Sequence, residues 1–575
     1  MKKLNYLASF LIAAIILSSC GGIDKMKEEY GTLTFTTSPK VLEMHGGEVE
    51  YSITGEIPPE WFNQDAIVEF TPVLTYEGGE KELDAKTFQG EDVEANNKVI
   101  SKETGGSIEF NGTFGYEEAM RQSQLVMRGE ASVADGDESI PLPERQIGKG
   151  VIATPNLVQI DPKPVLMADK FQRITQHDQN ADIHYVIERT NVRDSELEKA
   201  DIKNLEKFVK EVEKAANKKY QVISLHGYAS PDGPVDLNER LAEGRKASAN
   251  KYLNNVIDEK VLGEDQAQRI YEGKATTEDW EGFKTLVQES DIQDKDLILR
   301  VLSMYSDPEV REKELKNMTE TFEILAEKIL PMLRRTEIDV QIEKEGFADA
   351  EIKNYIYSKP DTLNLEEALY AGNKLFKDLK QQAMAFELAA EKEPNCLRAH
   401  NNLAAIHIKQ GNWDEAEDAL EKANDIKEGN AYVLNNLGVI ELKQGNVEDA
   451  KEYFLDATDA GDEVDYNLGI INIIQGDYEA ALNYLQNEES FNTALVMLLS
   501  GDSGEAEVML GQLDQKGAYI NYLQAVIAAR NNDQEDVFSN LRTAISEDSS
   551  LKDMAATDME FVEYMENETF NSIVQ

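Results

Sequence analysis

Few residues in this chain could do covalent chemistry, and their surroundings decide what kind. Among 575 residues there are two cysteines, Cys20 and Cys396. Cys20 follows a basic start at Met1-Lys2-Lys3, an apolar run to about residue 17, and the small residues Ser18 and Ser19. That layout is an export signal, and its apolar run is too short to span a bilayer comfortably. Cys396 then has no partner for an internal disulfide. It sits in Pro394-Asn395-Cys396 with Arg398 as its only basic neighbour, which suits a packed thiol better than a nucleophile. His400 and His407 share a helical stretch with no further ligand type beside them, so they read as packing residues rather than a metal site. No GxSxG, HExxH or P-loop pattern occurs, and the abundant carboxylates single out no acid–base pair. The expectation is no enzyme, no metal and no cofactor.

The tetrapeptide Leu17-Ser18-Ser19-Cys20 resembles the bacterial lipobox. The resemblance implies that residues 1–19 are a removed signal peptide and that Cys20 becomes the acylated first residue. Each buried CH₂ of an acyl chain contributes about 0.8 kcal/mol, so several chains would hold a folded body at the outer membrane. Residues 20–30 then read as a lipidated, flexible tether. Which face of that membrane the protein occupies stays open.

The elements that follow divide into three parts. From 31 to 165, period-two alternation such as Val49, Tyr51 and Ile53 against Glu50 and Ser52 marks strands with one buried face. Segments 67–76 and 123–133 behave alike, and glycine-rich turns separate them. A β-sandwich of about seven strands is expected. From 166 to 345 the pattern is α/β. A strand is expected at 183–187, an amphipathic helix at about 199–216, a buried strand at 220–228 and a helix at about 236–254. A helical insertion at about 258–317 precedes a further helix and a last strand at 336–343. Residues 346–361, with Gly346 and Pro360, read as a linker. From 362 to 575 a repeat emerges. Leu403-Ala404, Gly411, Ala416, Leu420 and Ala423 recur 34 residues later as Leu437-Gly438, Gly445, Ala450, Phe454 and Ala457. A third copy, with Leu468-Gly469, Gly476, Ala481 and Leu485, follows after 31. This is the tetratricopeptide period, predicting an α-solenoid with capping helices at its end.

The α/β segment is similar to the OmpA-like peptidoglycan-binding domain. The likeness rests on a strand followed by Gly227-Tyr228-Ala229-Ser230-Pro231-Asp232-Gly233, then Asn238, Leu241, Arg245 and Ala247, and on Arg334-Arg335 before the last strand. Where the family places an aspartate this chain has Ser230, while Asn238 and Arg245 keep the family spacing at eight and fifteen residues beyond it. The resemblance implies a site for the diaminopimelate end of a peptidoglycan stem peptide. Arg245 would hold the carboxylate as a fork. Asp232 would take the ammonium in place of the missing aspartate. Ser230 and Asn238 would shape the turn, and Arg334 or Arg335 would add a contact.

Lysine and arginine number 58 against 109 acids, a net charge of −51, which repels polyanions and excludes nucleic acid as a direct partner. The combined expectation is an outer-membrane lipoprotein that scaffolds an envelope assembly, with peptidoglycan on the α/β domain and a protein partner on the solenoid. The alternative is a surface-exposed accessory or fibre-assembly protein whose α/β domain makes no wall contact.

Overall fold

The structure is a computed structural model. It describes residues 22–134, 136, 139–257, 271–514 and 517–575. Cys20 and the expected signal peptide lie outside them. Among the described residues no helix is long and apolar enough to cross a membrane. Two compact units are present. One combines the N-terminal sheets with the C-terminal helices and divides from the other at Ala168 and again at Asp378; the second is Asp169–Lys377.

In the first unit the N-terminal part is two packed sheets, of five and seven strands, rather than the seven strands expected in all. The long strand Glu48–Ile57 shows why. Val49, Tyr51, Ile53, Gly55 and Ile57 are buried while the alternate residues are more exposed, so its period of two puts one face in the core. It pairs antiparallel with Gly106–Gly115 across its whole length. The hairpin joining Leu42–His45 to Glu48–Ile57 turns on Gly46 (φ 60°) and Gly47 (φ 80°). Two successive positive φ angles make the tight turn whose twist matches the strands.

The expected flexible tether is ordered over its described part. Residues 22–28 are helical, and Ile23, Met26 and Tyr30 are buried in the sandwich core. The Trp61 indole N–H donates to the Met26 carbonyl at 3.0 Å. Three large apolar side chains in nine residues were the sign that this stretch would fold rather than dangle.

The helices from Leu379 onward pair antiparallel as helix–turn–helix units: Leu397–Gln410 with Trp413–Ile426, Ala431–Gln444 with Val447–Asp456, Asp462–Ile474 with Tyr478–Leu485, Phe491–Leu499 with Ser503–Gln512, and Ala518–Arg530 with Gln534–Glu547. Gly411, Gly445, Gly476 and Gly501 end the first helices in left-handed conformation. Gly438 and Gly469 are small for another reason. A Cβ on Gly438 would stand 2.7 Å from Phe454, and one on Gly469 would stand 2.5 Å from Leu485. The chain ends in short helices that bury Phe561 and Phe570.

The sandwich packs directly against the solenoid. Gly46 lies so near the Gln475 carbonyl that a Cβ would sit 2.4 Å from it. His45 Nδ1 meets the Tyr478 hydroxyl at 3.0 Å, and Thr154 bonds Glu560.

The second unit is a four-stranded sheet. Ile174–His184 lies at one edge, antiparallel to Arg335–Glu345. That strand is antiparallel to Lys218–Tyr228, which is parallel to Tyr271–Thr276 at the other edge. Helices Ala200–Lys214 and Val235–Val256 cover one face, burying Ile202, Leu205, Val209, Ala249 and Leu253. Three expectations are corrected here. The insertion is not wholly helical, because Tyr271–Thr276 joins the sheet before the helices begin at Trp280; residues 258–270 are outside the described set. The supposed linker folds as helix Asp349–Ser358, with Ile352 and Ile356 buried. Residues 362–377 belong to this unit and not to the repeats. Gly346 and Pro360 flank that helix instead of marking loose chain.

Candidate functional site

The residues expected to hold a stem peptide lie where the strand Lys218–Tyr228 turns into the helix Val235–Val256. Gly227 lets the two elements touch, since a Cβ there would meet the Ala242 carbonyl at 2.3 Å. Arg245 is 1% exposed. Its Nη1 donates to the Tyr228 carbonyl at 2.7 Å and its Nε to the Arg189 carbonyl at 3.2 Å. The Tyr185 ring flanks its guanidinium, and the Tyr185 hydroxyl donates to its carbonyl at 3.0 Å. Burial, then the charge of Arg334, pulls its pKa down to about 10. This is a brace tying the strand end and the 189 loop to the helix. The guanidinium offers no open fork to a ligand acid, which corrects the role expected for it.

Asp232 is committed as well. Arg334 donates to its Oδ2 at 3.0 Å and to Ser230 Oγ at 3.1 Å, while the Ser230 hydroxyl bonds the other carboxylate oxygen. Both partners of the Asp232–Arg334 pair are largely buried. Asn238 donates to the Gly233 carbonyl at 3.2 Å across the turn. Arg335 points elsewhere: it bonds Asp279 at 2.8 Å and Glu337 at 2.7 Å, and stacks on Tyr228. Ser230, Asp232 and Arg334 therefore come together as an internal cluster, and Arg335 stands apart from it.

The geometry that can bind a chain lies in the first unit. After the sandwich strand Val151–Ile152 and the short 3-10 helix Thr154–Leu157, residues 158–168 run extended across the first helices of four successive repeats. They belong to neither sheet, which corrects the boundary expected for the sandwich at 165. Each contact has one form. Asn402 Oδ1 accepts from the Met167 N–H at 2.7 Å, and its Nδ2 donates to the Met167 carbonyl at 2.8 Å. Asn436 does the same to Val165, at 2.7 and 3.0 Å. Asn467 does so to Lys163, at 2.6 and 3.0 Å, and Asn492 to Gln159, at 2.8 Å for both bonds. One amide thus supplies the two bonds that a neighbouring β-strand would supply. The segment runs antiparallel to the order of the repeats.

The asparagines also bond one another. Asn436 Nδ2 donates to Asn401 Oδ1 at 3.0 Å, and Asn467 Nδ2 to Asn435 Oδ1 at 2.9 Å. Asn401 and Asn435 add donors to the Val165 and Lys163 carbonyls, each at 3.1 Å. All of these asparagines are fully buried, and Asn436 uses both amide protons and both oxygen lone pairs. Side chains fix the register. Val165 and Leu157 enter the solenoid core. Lys163 lies 4.0 Å over the Tyr466 ring and pairs with Glu488. The Tyr466 hydroxyl donates to Asp161 at 2.7 Å.

The strap sequence Asp161-Pro162-Lys163-Pro164-Val165 is matched to this pattern. Pro162 and Pro164 flank the gripped Lys163, so neither neighbouring position presents an N–H with no asparagine to meet it. Their fixed φ also holds the strap extended before it docks. At the fifth repeat Leu523 takes the asparagine position, nine residues before the turn residue Asn532, and the ladder ends. These asparagines are not among the residues singled out by motif or repeat spacing. The available signal was Asn401-Asn402 recurring as Asn435-Asn436 at the repeat period. Asparagine is a poor mid-helix residue, and at a buried position it must have partners.

Comparison with known proteins agrees on the repeats. Tetratricopeptide-repeat family patterns match residues 395–463 and 435–492. No curated protein matches the chain. Similar solved structures include Pseudomonas aeruginosa pilF, 20% identical over 38% of this chain and 97% of that one, with a TM-score of 0.27. PilW, a type IV pilus biogenesis factor, is 17% identical over 39% and 99%, TM-score 0.27. A tetratricopeptide repeat protein from Parabacteroides merdae is 12% identical over 48% and 99%, TM-score 0.25. The family patterns and the paired helices make the C-terminal part a tetratricopeptide solenoid, a protein-interaction architecture, joined to a sheet-rich N-terminal region.

Proposed function

We propose that the chain is a lipid-anchored scaffold of a bacterial cell envelope that engages a protein partner through its solenoid and performs no catalysis. The observation that carries the reading is the stack of tetratricopeptide helix pairs itself, a protein-interaction architecture with exposed faces outside the strap-filled groove. The anchor rests on Leu17-Ser18-Ser19-Cys20. An ordered helix beginning at residue 22 would keep the sandwich close to the lipid surface.

For the α/β domain the geometry favours the role without wall contact. Arg245 is sealed on backbone carbonyls, and Asp232 is spent on Arg334. Peptidoglycan binding there would require breaking both arrangements.

The test is in cells. Palmitate should label the wild type and not Cys20→Ser. A photoreactive residue at the exposed solenoid positions Leu455 or Val508 should yield one discrete protein adduct, and the same residue at Val99 of the sandwich should not. Absence of label, or no adduct from either solenoid position, would overturn the reading.

A further inference from the structure

We propose that the ladder groove is a closed intramolecular clasp: its permanent occupant is the strap 158–168, and partner peptides do not enter it. This refines the scaffold reading by placing the partner on solenoid surfaces outside the groove.

Four observations lead there. The ladder's donors are consumed: Asn436 is saturated, and Asn401, Asn435, Asn467 and Asn492 give their amide protons to the strap, to one another or, from Asn492, also to Asp161, so a second chain would find no free amide proton on them. The strap's side chains are part of the fold. Val165 and Leu157 lie in the same apolar cluster as the repeat core, so withdrawing the strap exposes apolar surface as well as polar groups. The strap has no slack at its start, because Val151–Ile152 is paired in the sandwich against Leu42 and Glu43, and the sandwich is itself packed on the solenoid edge at Gly46 and Tyr478. Finally, Pro162 and Pro164 restrict the strap when it is free, which lowers the entropy lost on docking. A tethered, prestiffened segment acts at high effective concentration, and an incoming peptide of equal intrinsic affinity would have to exceed it.

A groove of this kind reads as a joint. The ladder bonds the main chain, while Val165, Lys163 and the two prolines supply the side-chain anchoring and stiffness that make this strap its occupant. The consequence is that the sheets at one end of the chain and the repeats at the other are locked into one body by a strap between them in sequence.

The experiment uses the full chain in two measurements. In hydrogen exchange, the Lys163, Val165 and Met167 amides should exchange as slowly as the core of helix Ala431–Gln444. Exchange faster by a hundredfold or more would show that the strap opens by itself and would overturn the clasp. In binding, a labelled synthetic peptide with the sequence of residues 157–168 should show no saturable binding to the wild type. It should bind a variant in which residues 161–165 are replaced by Gly and Ser, with circular dichroism confirming that the repeats remain folded. Binding to the wild type would overturn the proposal, and so would failure to bind that folded variant, since the ladder would then not be what holds the strap. A clasp that fails this way leaves the palmitate and crosslinking results untouched, so the two readings fail separately.

Discussion

Replacing Asn436 by alanine isolates the ladder from everything else in the solenoid. The amide of Asn436 takes both main-chain groups of Val165, at 2.7 and 3.0 Å, and Val165 is buried. Alanine leaves that N–H and that carbonyl in a site closed to water. A buried polar group stripped of its partner costs about 1–3 kcal/mol. Asn435 still reaches the next strap carbonyl, and Asn401 still donates to the Val165 carbonyl at 3.1 Å, so the carbonyl is only half deprived and the N–H bears most of the cost. Alanine returns a few tenths of a kcal/mol through its better helix propensity. The net is a loss of about 2 kcal/mol, or on the order of 30-fold in the opening equilibrium of the strap. Hydrogen exchange at Val165 and Lys163 reads this directly, because exchange through local opening follows that equilibrium. Asn483→Ala, on the exposed face of helix Tyr478–Leu485, is the control and should change stability by no more than about 0.5 kcal/mol. A loss under about 1 kcal/mol at the strap, or equal losses in the two variants, would mean that the paired bonds do not carry the docking.

Three further outcomes follow from other sites. Gly438→Ala should destabilise the solenoid by about 1 kcal/mol or more, because the Phe454 contact at 2.7 Å outweighs the helical gain. Gly504→Ala, where an added Cβ meets nothing within 4 Å, should stabilise it, so thermal melts of the two should shift in opposite directions. Arg334→Ala leaves the Asp232 carboxylate buried without its cation and should cost about 3–5 kcal/mol; a melt shifted no more than that of the exposed-pair variant Lys207→Ala would argue for a surface site instead. Asp558 is buried, and burial followed by the neighbouring Glu560 charge raises its pKa. Its unfolded form ionises first, so its contribution to stability is full below the ordinary carboxylate pKa and falls as pH rises through the folded value. Asp558→Asn, which can still accept the Glu560 N–H, should flatten that fall in pH-dependent unfolding, and an unchanged profile would refute the assignment.

How much of this was legible in the sequence depends on whether a residue's role is local. The repeats were readable because each copy solves the same packing problem at the same offset: glycine for the turn, small residues where helices touch, large ones against the next copy. The strands 48–57 and 66–76 were readable because alternation records one buried face. The short strand at 271–276 was not, since two of its six residues are glycine or alanine and its place comes from a partner some 50 residues away. The helix 349–358 was masked by its flanking Gly346 and Pro360. Arg245 was readable as a position and not as a role. The family spacing places an arginine there, but whether its fork meets ligand or backbone depends on Tyr228, Arg189 and Arg334, none of which the spacing specifies.

The strap and its ladder show the same limit from the other side. Asp161-Pro162-Lys163-Pro164 reads as a linker when taken alone, and Asn401-Asn402 reads as a defect in a helix when taken alone. Each is unfavourable locally: the prolines cannot join a sheet interior, and the buried amides cannot go unpaired. Two local penalties separated by more than 200 residues cancel only if the segments meet, and they meet with one amide per alternate residue. Pairs of such mismatches, periodic on both sides and at commensurate steps, are therefore a stronger pointer to an internal docking site than either motif's resemblance to anything known. Here the step is two residues of strap for each repeat between Asn402 and Asn467, an advance of about 6.6 Å. That is less than the 8–10 Å between the axes of packed helices, as the inner side of a curved stack requires. Where the strap instead takes four residues, from Lys163 to Gln159, the contact between is made by a side chain, Asp161 on Tyr466, because the main chain there has left the ladder's register.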